Sequence, residues 1–177
     1  MYKILLCTWL VMVACGSPEI GPYAIRGIDT VTNVTLSTNE TAIKNVETVL
    51  NEFEFVGVVL ESNKFDCSDI SELIWYVLNN NGMDALLVGN CIITDDTIYG
   101  HMFVWVNASD GMIVVESTGE NWTTSRLGEV MHDPPDLYTS GWVWSSPTKF
   151  LLKGKKDDMR GITLDTPIEE LPIRRKK

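Results

Sequence analysis

The sequence predicts an α+β domain in which a helix over residues 68–80 packs on an antiparallel sheet. Ile70, Leu73, Ile74, Val77 and Leu78 fall at i, i+3, i+4, i+7 and i+8, a single apolar helical stripe. Three strand-like runs follow, over 85–93, 101–107 and 112–118, and the turn formers Ala108-Ser109-Asp110-Gly111 separate the last two. A chain of 177 residues, 45% of them hydrophobic and 21% charged, is enough for one cored domain, since domains commonly run to roughly 100–150 residues. The net charge of −10, from 14 basic and 24 acidic side chains, argues against duplex nucleic acid, and no nucleic-acid partner is expected, because a phosphate backbone demands a basic face.

At the amino terminus, Lys3 precedes the apolar stretch Ile4–Ala14, which is too short to cross a hydrocarbon core of about 30 Å as a helix. It predicts a signal peptide over 1–14. Its end, Met12-Val13-Ala14-Cys15-Gly16-Ser17, resembles a lipobox, which makes Cys15 a candidate lipidation site and the membrane a partner through that anchor. Plain secretion and an uncleaved anchor are the alternatives, and all three put the body outside the cytosol. Sequons for N-glycosylation at Asn33, Asn39, Asn107 and Asn121 fit that compartment. Residues 15–39, with Ser17-Pro18, Gly21-Pro22 and a Thr/Asn run, predict a tether, although 24–34 is equally compatible with a short strand.

The body is expected over 40–148. Ile43, Val46, Val49, Leu50 and Phe53 predict a first helix near 40–52, and Phe55–Leu60 a short strand after it. Asp66, Ser68 and Asp69 are the candidate N-caps of the second helix, and Asn79-Asn80-Asn81-Gly82 ends it, so Cys67 falls at or just before its first turn. Gly141-Trp142-Val143-Trp144 alternates as a strand, with its tryptophans assigned to core packing in preference to a peptide groove. Residues 149–177 hold nine of the 14 basic side chains and end in Arg174-Arg175-Lys176-Lys177. They predict a charged, solvated tail with one short helix near 167–171, and the alternative for the basic run is contact with anionic lipid.

The hairpin makes a geometric prediction. If Ala108 and Ser109 alone form the turn, His101 stands opposite Glu116; if all of 108–111 form it, Glu116 is the diagonal neighbour on the same face. An odd loop without a bulge would separate them to opposite faces. A cysteine at a helix start, a histidine at the head of a strand and a carboxylate on the next strand supply nucleophile, base and orienter. The helix N-terminus and an imidazolium both favour thiolate, and a carboxylate fixes the imidazole tautomer.

Phe65-Asp66-Cys67-Ser68-Asp69, the helix exit Asn81-Gly82-Met83-Asp84-Ala85, His101-Met102-Phe103-Val104-Trp105-Val106 and Val114-Val115-Glu116-Ser117-Thr118 follow in an order that resembles the transglutaminase-like, papain-related superfamily. The resemblance covers about residues 55–120. It implies a papain/transglutaminase-like core, with Cys67 as nucleophile, His101 as base and Glu116 as third member. The family more often has Asp followed by Pro-Thr at the third position. Its second oxyanion donor has no clear counterpart, and Asn63 is the candidate. The chemistry implied is cysteine-dependent acyl transfer, with hydrolysis of a peptide or isopeptide bond ahead of cross-linking, a peptide or protein as substrate, and no metal or organic cofactor.

The non-enzymatic alternative is a secreted binding domain of the same fold, stapled by a Cys67–Cys91 disulfide of the kind that forms outside the cytosol. A zinc site from Cys67, Cys91, His101 and Glu116 lacks the close ligand pairs such sites use. His132, ahead of Asp133-Pro134-Pro135, is expected on a surface loop.

Overall fold

The computed structural model describes residues 29–57, 65–93, 98–118, 126–147 and 162–177, and at 29, 91–93 and 98–99 the backbone alone. The described residues hold two α-helices and eight strands: β1 (Asp29–Val31), α1 (Glu40–Asn51), β2 (Phe53–Phe55), α2 (Cys67–Asn80), β3 (Ala85–Ile93), β4 (Ile98–Ala108), β5 (Gly111–Glu116), β6 (Glu129–Met131), β7 (Gly141–Trp144) and β8 (Ile173–Arg175). Six strands form one sheet in the order β1-β7-β3-β4-β5-β6, and β2 pairs with β8 in a second. Every named strand pair is antiparallel. The expected α+β class with a helix on an antiparallel sheet is what the chain adopts.

The stripe on α2 explains its place. Ile70, Leu73, Ile74, Val77 and Leu78 are essentially inaccessible and pack with Leu87, Met102, Val104, Val106, Ile113 and Val115, which alternate to one face of the sheet. Val46 and Leu50 of α1 and Ile162, Leu171 and Ile173 from the carboxy-terminal region complete this layer. Every residue of α2 from Ser68 to Leu78 is buried, because α2 has neighbours on its outer side as well. On the other face Val88, Phe103, Trp105 and Val114 form a second cluster, covered by Val31, Val34, Leu36, Met131 and Tyr138. With both faces covered, β3 has no need of polar alternation, and Ala85–Val88 is a continuous apolar run.

Local chemistry sets the boundaries. Asn39 accepts from the Ala42 amide at 3.1 Å and starts α1. Gly82 ends α2 at φ +78°, where a side chain would be strained, and Met83 N–H returns to Leu78 O at 3.0 Å. Asn79 bridges Trp75 O and Ala85 O, tying the helix exit to the head of β3.

Two segments differ from expectation. Residues 29–39, assigned to the end of a tether, lie against the sheet: β1 pairs with β7, and Leu36 bridges Met112. The short-strand alternative for that stretch is the one found, because Val31, Val34 and Leu36 cover Phe103 and Trp105. The described part of the expected tail, 162–177, is also structured. The short helix is a 3-10 turn at Ile168–Glu170, and β8 follows it, with Ile173 buried opposite Phe55. Arg174 pairs with Glu54 at 2.7 Å and Arg175 with Glu52 at 3.1 Å, while the Arg175 guanidinium lies 5.2 Å from the Phe53 ring centroid. Glu54 on β2 and Glu52 just before it therefore hold half of the basic run in register. The expected strand at 55–60 is found earlier, at Phe53–Phe55, for the same reason; residues 58–60 lie outside those described, as do 1–28 and 148–161.

Candidate active site

Cys67 is the first residue of α2, and its position follows from a reciprocal cap. Asp66 Oδ1 accepts from the Ser68 amide at 2.9 Å and from the Ser68 hydroxyl, while Asp69 Oδ2 accepts from the Asp66 amide at 2.9 Å. Of the three candidate caps, Asp66 is the N-cap. Cys67 is partly buried against the α2-side core. The helix terminus favours thiolate there, and the two carboxylates of the cap oppose it.

The turn between β4 and β5 is Ser109-Asp110, with Ala108 paired to Gly111 and Val104 to Val115. Continuing that register sets Glu116 opposite Phe103, so Glu116 is the same-face diagonal neighbour of His101. His101 Nε2 lies 2.9 Å from Glu116 Oε2, and the two side chains are only 10% and 7% exposed. Tyr138 O–H donates to the same Oε2 at 2.5 Å, and the Thr118 amide donates to Oε1 at 2.8 Å. Burial pushes the Glu116 carboxyl up, but the hydrogen bond and charge of His101, the Thr118 amide and the Tyr138 hydroxyl outweigh it and hold it down at about 2. An ionised carboxylate can only accept, so Nε2 carries the proton and Nδ1 is the basic nitrogen of the neutral ring. Nδ1 makes no hydrogen bond among the described residues.

α2 exits beside Ala85, where Asn107 N–H meets Asp84 O at 2.9 Å, and β4 runs antiparallel to β3. Cys67 and His101 belong to different faces of the sheet. The His101 ring stacks on Phe103 and meets Tyr138 edge-on, on the face away from α2, whereas Cys67 packs with the α2 layer.

Tyr138 carries no signal in the sequence. It lies in a 3-10 turn, Asp136–Thr139, without periodicity or motif. His132 bonds exposed Glu47 at 2.9 Å and stands apart on the surface. Trp144 is core, packed with the α2 layer. Asn63 and Cys15 lie outside the described residues, and Cys91 is placed only by its backbone, opposite Gly100. Among the described residues no group of three His, Cys, Asp or Glu is arranged to hold a metal, and no helix is long and apolar enough to cross a membrane. No family model, curated protein or solved structure matches the chain.

Proposed function

We propose that the chain is an exported, lipid-anchored cysteine enzyme with a transglutaminase-like, papain-related core that cleaves a peptide or isopeptide bond. The observation that carries this reading is the 2.9 Å pairing of His101 Nε2 with a buried, ionised Glu116. It leaves Nδ1 as the basic nitrogen, which this reading pairs with Cys67 at the start of α2.

In the proposed reaction Nδ1 takes the thiol proton of Cys67 and the thiolate adds to the amide carbonyl. The tetrahedral intermediate collapses to a thioester as Nδ1 gives its proton to the departing amine. Water, deprotonated by Nδ1, then attacks the thioester and frees acid and thiol. Glu116 stays ionised throughout and stabilises the imidazolium. The Cys67 backbone N–H is one oxyanion donor and Asn63 the candidate for the second. The reaction requires Sγ and Nδ1, which belong to different faces of the sheet, to meet.

The test is alkylation of the exported full chain, without reductant, across about pH 4 to 9, with Cys67 and Cys91 read by peptide mass spectrometry. Rapid labelling of Cys67 well below about pH 8.5, lost in His101→Ala, is the expected result. A mass two hydrogens low with neither cysteine labelled would replace this reading with the disulfide-stapled binding domain.

A further inference from the structure

We infer that Tyr138 is a positioning residue for the proposed catalytic pair: its hydroxyl shares Glu116 Oε2 with His101 and fixes the carboxylate in the orientation that aligns the imidazole. The inference rests on the acyl-transfer reading for its catalytic meaning, and on independent geometry for the contact itself.

The strap that carries Tyr138 is tied to the sheet at three points. Asn90 Nδ2 donates to Leu137 O at 2.5 Å and to Ser140 O at 2.9 Å, and Trp105 Nε1 donates to Tyr138 O at 2.9 Å. From the outer side, Val34 N–H bonds Thr139 O at 2.9 Å and Asn33 N–H bonds Ser140 Oγ at 3.0 Å. Strands β3 and β4 thus spend side-chain donors on main-chain oxygens of a segment with no regular ladder of its own. The ring is fixed too, 4.8 Å from Phe103 and 6.1 Å from His101 between centroids.

The consequence is a carboxylate with its rotation removed. Oε2 receives His101 and Tyr138, and Oε1 receives Thr118 N–H. Without the hydroxyl, Glu116 keeps its His101 and Thr118 contacts but loses the donor that holds Oε2 from the strap side. The freed oxygen becomes a stronger acceptor for the imidazolium N–H and shifts the ring's titration upward.

Three variants of the full chain, Tyr138→Phe, His101→Ala and Glu116→Gln, test this, each with the Cys67 alkylation rate against pH and, where the ring is present, the His101 imidazole titration by NMR. Tyr138→Phe keeps the ring packing, so a purely structural tyrosine would leave both profiles unmoved. The expected result is an upward move of the His101 midpoint by up to about one pH unit and a matching displacement of the Cys67 profile. Incorporation of a fluorinated tyrosine at 138, a stronger donor of nearly the same shape, should move the His101 midpoint the other way. It serves equally well if Tyr138→Phe folds poorly. Superposition of both Tyr138 variants on the parent, with His101→Ala still altering Cys67, overturns the inference and leaves the acyl-transfer reading standing. A shifted His101 midpoint with Cys67 indifferent to His101→Ala sinks the acyl-transfer reading and keeps the hold of Tyr138 on the pair.

Discussion

Glu116 is the residue whose environment makes the sharpest prediction. Its folded carboxyl titrates near 2 against an ordinary 4.5, so it binds fewer protons folded than unfolded across that interval. The stability it contributes is fully present above about pH 4.5 and is lost as pH falls toward 2, a swing of about 3 kcal/mol. Denaturant melts of parent and Glu116→Gln should therefore converge as pH drops through that window; a constant gap would refute the assignment. Asp66 makes a second prediction, through the cap. Asp66→Asn keeps an acceptor for the Ser68 amide but removes one of two negative charges beside Cys67, so alkylation at pH 7 should rise roughly two- to five-fold with little change in melting. The His101–Glu116 contact was legible in the sequence because it needs only the parity of one turn. Tyr138 was not, because its contact depends on where a strap with no periodicity is tied down.

Among the elements, α1, α2, β3 and β7 were legible nearly to the residue, since each carries its own apolar period and its own cap or turn. Strands β2 and β8 were not: each is three residues long and takes its pairing from a partner far away in sequence. β6 was missed for the same reason, as only Val130 is buried in it. The entry to β6 is tight. Gly128 has φ +76°, and an added Cβ would stand 2.7 Å from Ile74 Cδ1 and 3.1 Å from Val115 Cγ1. Gly128→Ala combines backbone strain with overpacking of α2 on β5 and should destabilise by about 1–3 kcal/mol in chemical denaturation. A cost below a few tenths would mean that α2 can shift to accommodate it.

For the molecule as a whole, the carboxy terminus is part of the core. Ile173→Ala should cost about 2–4 kcal/mol, as truncation of a buried aliphatic does, whereas Arg174→Ala, which removes an exposed ion pair, should change stability by less than about 1 kcal/mol. A solvated tail would be indifferent to both. The charged composition of 149–177 concealed this, because Leu171 and Ile173 are too few to make a pattern and their packing partners lie on α1, α2 and β2. Glu54 meets Arg174 across 120 positions of chain. On the ribosome β8 therefore comes late: the six-stranded sheet has all its strands once Trp144 has emerged, but the edge at Phe53 and Phe55 stays unpaired until Ile173–Arg175 has followed. That interval exposes two phenylalanines in a nascent chain, and a chaperone or export factor would have its opportunity there.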